Sequence, residues 1–189
     1  MKDFVVIGVV GLPGSGKTEV AKVAVGLDIP CVRMGDVVWG EVKRRGLEIN
    51  ETNVGVVANE LRRKEGLAAI AKRCIPLIER SGRGKKAVFI DGIRGIAEVE
   101  EFRNVFKQRF HLLGMWANQN TRYRRITARG RQDDASGLRV FQEKDRRELS
   151  WGLGDALALA DHIVVNENTL AELHKEAANL IKSLIGDKT

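Results

Sequence analysis

The sequence predicts an α/β fold, a three-layer α/β/α sandwich around a five-stranded parallel sheet. Short apolar runs rich in β-branched residues alternate along the chain with segments of helical periodicity, which is the pattern of parallel strands joined by crossover helices. The first run, Phe4–Val10, is apolar without interruption, as expected of a strand buried on both faces. A glycine-rich turn follows it and leads directly into a helical segment.

The other elements follow in order from the same patterns. Further strands are predicted at Ile29–Met34, Ala87–Ile90, Phe110–Ala117 and His162–Val165. A helix is predicted over Thr18–Val25, and Asp36 is placed to cap a second helix that Gly46 would end. The next helix has an apolar face, despite Pro76, formed by Leu67, Ile70, Ala71, Cys74, Ile75 and Ile78. Thr169 and Glu172 have the spacing of a capping box at the start of the last helix.

The composition is that of one folded domain without a membrane segment. The 189 residues show no internal repeat and no linker, so we expect residues 1–189 to form a single domain. The longest apolar stretch is about half of the ~20 residues that a transmembrane helix needs, and no small-residue cleavage site follows it. Cys31 and Cys74 lie far apart in apolar surroundings, which suits buried thiols and excludes a paired-cysteine zinc site. We therefore expect a cytoplasmic protein.

Residues 11–18 carry the most specific motif in the chain. They read GLPGSGKT, which satisfies G-x-x-x-x-G-K-[ST] between a buried strand and a helix. Glycines let successive backbone N–H groups and the helix N-terminus face an anion. We expect Lys17 to reach the β and γ phosphates of ATP and the Thr18 hydroxyl to bind Mg²⁺. The predicted nucleotide-binding residues here are Gly11, Pro13, Gly14, Ser15, Gly16, Lys17 and Thr18.

An acidic residue at the end of a predicted strand is the second candidate for the metal. Asp91 closes the run AVFID, at the carboxyl end of the strand, where ligands bind in open α/β sheets. A carboxylate there would hold Mg²⁺ through a bound water and offset the charge of the triphosphate. The alternative is an ordinary turn aspartate before Gly92.

Basic residues are concentrated between Thr121 and Arg147, where nine Lys and Arg stand against four Asp and Glu, in a chain of net charge +7. Arginine binds phosphate oxygens two at a time, so this segment suits a phosphotransferase, although a solvated helix face has the same pattern. No N-K-x-D element is present, which disfavours a GTPase. No G-x-G-x-x-G follows a strand, which disfavours NAD binding.

Together with the phosphate loop, four segments resemble the adenylate-kinase and dephospho-CoA-kinase group of P-loop NTPases. RMGDVVW (33–39) is similar to the start of that group's acceptor-binding helices, and DGIR (91–94) resembles its D-G-F-P-R element. RITARGRQDD (125–134) resembles a lid whose start and end are fused, and ADHIVVN (160–166) is similar to the dephospho-CoA-kinase strand before the adenine-contacting loop. The chain is most similar, over nearly its whole length, to an archaeal family of adenylate-kinase-related proteins.

The resemblance implies a fold of the nucleotide-kinase type with an acceptor-binding helical insert at about 35–80 and a short helical lid at about 122–147. By the same resemblance, Arg125 would stack near the adenine and Asn166 would lie beside the base. Arg129 and Arg131 would contact the phosphoryl group being transferred. The acceptor would contact Asp36, Trp39 and Arg94.

Departures from the group leave the acceptor open. Trp39 stands where adenylate kinases have an arginine that holds the AMP phosphate, and Arg94 follows Asp91 by three residues with no proline between them. A phosphate acceptor needs no general base, whereas a hydroxyl acceptor calls for a carboxylate such as Asp36 near the attack position. Asp36 could equally be only a helix cap. We expect Trp39 in the core, with a platform for a base or a pantetheine chain as the alternative.

These observations predict an ATP-dependent kinase that transfers the γ-phosphate to a small-molecule acceptor, either a nucleotide or a dephospho-CoA-like molecule. The catalytic candidates are Lys17, Asp36, Arg129 and Arg131. One alternative is an ATPase that binds RNA or a ribonucleoprotein through the basic clusters 43–45 and 62–64, although an aromatic content of 5% disfavours base stacking. The other alternative is a nucleotide-binding regulator without turnover.

Overall fold

The predicted sandwich is present in the computed structural model, which describes residues 4–129 and 137–186. The strands are β1 (Val5–Val10), β2 (Cys31–Arg33), β3 (Ala87–Asp91), β4 (Phe110–Trp116) and β5 (His162–Val165). They form one parallel sheet in the order β2-β3-β1-β4-β5. Because β1 lies between β3 and β4, the phosphate loop leaves from the middle of the sheet. The fold class predicted from the sequence is confirmed.

Helices cover both faces of this sheet. They are α1 (Lys17–Gly26), α2 (Met34–Arg44), α3 (Glu51–Glu65), α4 (Ala69–Ser81), α5 (Ile96–Phe106), α6 (Gln119–Arg129), α7 (Leu138–Ser150), α8 (Leu153–Ala158) and α9 (Leu170–Leu184). Ile7 and Val9 of β1 belong to a core with α1 and α9, whereas Val6 and Val10 belong to a second core with α2, α3, α4, α5 and α8. Alternate residues of one strand therefore build the two apolar layers.

The predicted end of α2 and the predicted start of α9 agree with the structure, whereas the predicted start of α4 does not. The Thr169 hydroxyl accepts a hydrogen bond from the Glu172 amide at 3.2 Å, and the Glu172 carboxylate accepts one from the Thr169 amide at 3.0 Å, so the capping box is confirmed. Gly46 follows the end of α2 at φ 69°. Leu67, expected on an apolar face, is 67% exposed because α4 begins only at Ala69.

Both cysteines carry free thiols, and burial raises the pKa of Cys31 to about 11 and that of Cys74 to about 12. At neutral pH these groups are protonated and unreactive. None of the helices in the described ranges combines the length and the apolar character required to cross a membrane.

Candidate functional site

The phosphate loop connects β1 to α1 in a conformation that two glycines make possible. Gly14 has φ 81° and Gly16 has φ 106°, a region that residues with a Cβ atom rarely adopt. A Cβ atom at Gly14 would also lie 2.8 Å from the carbonyl oxygen of Arg122 in α6. The loop is therefore packed closely against α6, and its course depends on the absence of side chains at these positions.

Lys17 is the first residue of α1, and its side chain turns back over the loop. Its Nζ donates hydrogen bonds to the carbonyl oxygens of Gly11 at 2.5 Å and Leu12 at 3.2 Å. Burial, and then the nearby charge of Arg94, lower the pKa of Lys17 to about 8, although Glu148 and Asp91 act in the opposite direction. These charged side chains therefore lie around the ammonium group, at the carboxyl ends of the central strands.

Polar groups without protein partners make the loop suitable for an anion. Gly16 caps α1 without any side-chain hydrogen bond, which leaves the first N–H groups of this helix available. The Ser15 hydroxyl is buried and has no hydrogen-bond partner within the described ranges. An unpaired buried polar group is costly, and a phosphate oxygen would satisfy it. The residues therefore fit the phosphates of a nucleotide.

Thr18 and Asp91 supply oxygen atoms suited to Mg²⁺ close to Lys17. The Thr18 side chain is exposed next to Lys17, and Asp91 is half-buried at the end of β3, close enough for its charge to act on Lys17. The described residues contain no cluster of three or more His, Cys, Asp or Glu that could hold a metal ion. The donors present thus fit an ion that keeps phosphate and water ligands, as Mg²⁺ usually does.

Arg125 and Asn166, predicted to lie near the base, meet in the structure. Arg125 donates to the backbone oxygen of Asn166 at 3.0 Å and to its side-chain oxygen at 3.2 Å. The buried Asn166 amide group donates in turn to the carbonyl oxygen of Ser15 at 2.9 Å. These bonds connect α6, the loop after β5 and the phosphate loop. The contact of either residue with adenine stays a prediction.

Arg122 holds the phosphate loop from the outside, a role that the sequence did not reveal. Its guanidinium group donates to both carboxylate oxygens of Asp145 in α7, at 2.9 and 2.6 Å, and both side chains are buried. It also donates to the carbonyl oxygens of Pro13 at 3.1 Å and Ala117 at 3.2 Å. The ring of Phe141 lies 5.0 Å from the guanidinium carbon. This buried pair fixes α6 and α7 against the loop.

Arg94, whose contact with the acceptor stays a prediction, lies within a second network of charged groups that the sequence did not reveal. Its Nη1 donates to Glu148 Oε1 at 2.8 Å, and its backbone amide donates to Glu98 at 2.7 Å. Glu98 is buried, which raises the pKa of its carboxyl group, and it also accepts from Arg62 in α3 at 3.4 Å. The network extends from Arg62 in α3 to Glu148 in α7. No local sequence pattern indicates this network, because its residues are far apart in the sequence.

Two expectations for α2 are wrong. The helix begins at Met34 after Arg33, so Asp36 is the third helical residue and not its cap, and its carboxylate accepts from Arg33 Nε at 3.3 Å. Trp39 is not in the core, because 42% of it is exposed and the Arg33 guanidinium carbon lies 6.0 Å from its ring centre. Gly92 packs against the start of α2. Arg33, Asp36 and Trp39 therefore form an exposed cluster beside the loop that follows Asp91.

The two remaining catalytic candidates lie at the end of α6. Arg129 is the last residue of this helix, and its side chain is not described. Arg131 lies outside the described residues. Their proposed contact with the transferred phosphoryl group stays a prediction.

A cleft of about 260 Å³ borders the phosphate loop. Its lining includes Leu12 of the loop, Trp116 at the end of β4, Arg122 and Leu157. A larger open cleft of about 710 Å³ lies between β5 and α9, and its lining contains none of the predicted site residues. The smaller cleft lies at the carboxyl ends of β1 and β4, where ligands bind in open α/β sheets, and it is therefore the better candidate for a ligand site.

Comparison with known proteins agrees with this geometry. A family model described as an AAA domain matches residues 10–142. A UPF0200 protein of Methanosarcina acetivorans is 41% identical over 180 residues, which is 95% of each chain. A dephospho-CoA kinase from Campylobacter jejuni has a TM-score of 0.64 at 14% identity, covering 97% of this chain and 98% of that one. A shikimate kinase from Acinetobacter baumannii has a TM-score of 0.57 at 19% identity, covering 96% and 95%. The structures share the fold.

Proposed function

We propose that the chain is an ATP-dependent phosphotransferase. It belongs to the family described as an AAA domain and, within the archaea, to the UPF0200 proteins, and it has the fold of P-loop kinases. It transfers the γ-phosphate of ATP to a small-molecule acceptor. The observation that carries this proposal is the loop of residues 11–18. There an uncapped helix N-terminus, the Lys17 ammonium group and a Ser15 hydroxyl without a partner among the described residues offer hydrogen-bond donors to phosphate oxygens.

The residues of the site have distinct tasks in such a reaction. ATP supplies the phosphoryl group, and Mg²⁺, when bound, would offset the negative charge that develops on it. Lys17 exchanges the carbonyl oxygens of Gly11 and Leu12 for phosphate oxygens. Thr18 and Asp91 hold the metal, and Arg125 with Asn166 holds the base. Arg129 and Arg131 stabilise the charge on the phosphoryl group in transfer.

The acceptor approaches, in this proposal, from the side of α2 and the loop after β3. The exposed cluster of Arg33, Asp36 and Trp39 is next to that loop, and Arg94 is a residue of the loop. Asp36 carries a free carboxylate edge there, since its contact with Arg33 is a single hydrogen bond within one helical turn. It is the general-base candidate for a hydroxyl acceptor, and the revised helix start removes the competing role as a cap.

Binding of RNA receives less support from the structure. In the basic cluster 43–45, Arg44 and Arg45 are ion-paired with Glu41, and Arg45 also reaches Glu60. In the cluster 62–64, Arg62 is paired with Glu98. Charges that are already paired attract a nucleic-acid backbone less strongly than free ones.

An ADP-release assay with a panel of acceptors tests the proposal. The panel contains nucleoside monophosphates, small polyhydroxy compounds, dephospho-CoA and an RNA oligonucleotide, each with Mg²⁺ and ATP. We expect ADP release that depends on one of the small molecules, with a phosphorylated product detectable by mass spectrometry. Hydrolysis stimulated only by RNA, or tight ATP binding without turnover on any acceptor, would contradict the proposal.

A further inference from the structure

Glu148 occupies an unusual position for a carboxylate. It lies on α7, is 2% exposed, and uses one oxygen, Oε1, to accept a hydrogen bond from Arg94 at 2.8 Å. Its other oxygen, Oε2, is buried and has no hydrogen-bond partner among the described residues. Buried carboxylate oxygens are normally satisfied, so this one is suited to a hydrogen-bond donor that a ligand brings.

The partner of Glu148 is the residue from which a phosphate clamp would be expected. Arg94 follows Asp91 in the loop after β3 and is 43% exposed, so a ligand can reach it. Its charge, however, is already matched by the carboxylate. Among the described residues, Arg94 is paired with Glu148 and Arg122 with Asp145. The pairing with Glu148 leaves Arg94 with little net charge to offer to a second phosphate.

We propose that Glu148 determines the class of acceptor, selecting a hydroxyl-bearing molecule over a nucleoside monophosphate. It does so by neutralising Arg94 and by accepting a hydrogen bond from the acceptor at Oε2. The inference rests on the proposed phosphotransferase function. The acceptor oxygen forms a bond to the γ-phosphorus while the bond from that phosphorus to the β,γ-bridging oxygen breaks. ADP leaves with that electron pair, and the hydroxyl proton passes to the carboxylate of Asp36 and then to solvent.

Substitution Glu148→Gln tests the inference by a gain of binding. The amide has the shape of the carboxylate but no charge, so Arg94 becomes available to a phosphate. AMP is the probe, titrated by calorimetry into protein saturated with Mg²⁺ and a non-hydrolysable ATP analogue. We expect AMP to bind the unmodified chain weakly and E148Q about tenfold more tightly. The double variant R94Q/E148Q should lose this gain.

Two controls keep the result interpretable. Glu143→Gln removes an exposed carboxylate from the same helix, paired with Arg139, and should leave AMP affinity unchanged. Arg94→Gln alone leaves the Glu148 carboxylate without its counter-charge, so AMP should bind this variant no more tightly than the unmodified chain. A gain of AMP affinity in R94Q would contradict the inference, and this variant tests it even if E148Q fails to fold. In the acceptor panel, the unmodified chain should release ADP with a polyhydroxy compound or dephospho-CoA and not with AMP.

The inference is overturned if AMP binds the unmodified chain tightly and serves as its acceptor, or if E148Q leaves AMP affinity within twofold of the unmodified chain. Failure of the ATP analogue to bind would instead remove the proposed function. The AMP comparison can then be made on the free proteins, so the two failures are distinguishable.

Discussion

Two ion pairs leave α7 one helical turn apart, and they differ in almost every physical respect. Asp145 binds Arg122 through both oxygens, at 2.9 and 2.6 Å, with both side chains buried. Glu148 binds Arg94 through one oxygen only, and that arginine is half-exposed. The first pair also reaches the phosphate loop at Pro13. The comparison indicates that the first pair fixes the side of the proposed nucleotide site, whereas Arg94 of the second pair is accessible to a ligand on the side of the proposed acceptor.

Removing the charge of Asp145 should have the largest effect on stability of the substitutions at these two ion pairs. Asp145→Asn leaves the Arg122 guanidinium buried without a counter-charge, which typically costs 3–5 kcal/mol, so we expect the free energy of unfolding to fall by about that amount. Urea denaturation followed by circular dichroism measures it. Glu143→Gln, at an exposed pair on the same helix, should change stability by less than about 0.5 kcal/mol. Equal stabilities of D145N and E143Q would show that the Arg122 pair does not fix the loop.

The nucleotide side of this comparison was the more predictable from sequence. The strand, the glycine loop and α1 are contiguous, and their chemistry depends on spacing that a motif records. Arg125 and Asn166 could be inferred only from the resemblance to known kinases. Arg122 and Asp145 could not be inferred at all, because the pair joins two helices across 23 positions and each residue looks like part of a solvated, charged face.

A smaller effect is expected from Asn166→Ala, which tests whether the contact between Asn166 and the phosphate loop contributes to nucleotide binding. The substitution removes the hydrogen bond to the Ser15 carbonyl and one partner of Arg125, so the loop is held less firmly. We expect the affinity for Mg²⁺ and ATP to fall about tenfold, which corresponds to about 1.4 kcal/mol. Asn179→Ala, at an exposed position of α9, is the matched control. An unchanged affinity in N166A would mean that the contact with Ser15 has no effect on the nucleotide.

The smallest predicted effect is a fraction of a proton. The pKa of Lys17 is lowered to about 8, and contact with phosphates raises it, so binding at pH 8 should take up about half a proton. Affinity should therefore fall as the pH rises above 8. Calorimetry in buffers of different ionisation enthalpy measures the uptake, and Lys17→Arg should abolish it. Because Glu148 raises this pKa, E148Q should increase the uptake. No uptake at pH 8 in the unmodified chain would contradict the assigned electrostatics.

The acceptor side was less predictable for a physical reason. A helix start is fixed by backbone geometry over a few residues, and a shift of three positions turned Asp36 from an expected cap into a first-turn side chain. Trp39 has a large aromatic side chain of the kind usually found in a core, and only the packing of α2 shows that it is exposed. Glu148 is buried by contacts from other elements, which no local pattern records. Sequence therefore predicted the sheet and the loop better than the surfaces around them.

The most direct test of the account is a calorimetric titration of Mg²⁺ and ATP into the unmodified chain and into Lys17→Ala, with Lys22→Ala as the control. Lys22 lies on the same helix, and its charge is engaged at the surface with Glu19. We predict binding at one site in the unmodified chain and in K22A, and a loss of affinity of about 100-fold or more in K17A. An absence of binding to the unmodified chain, or equal affinities in K17A and K22A, would contradict the assignment of residues 11–18 as the nucleotide site.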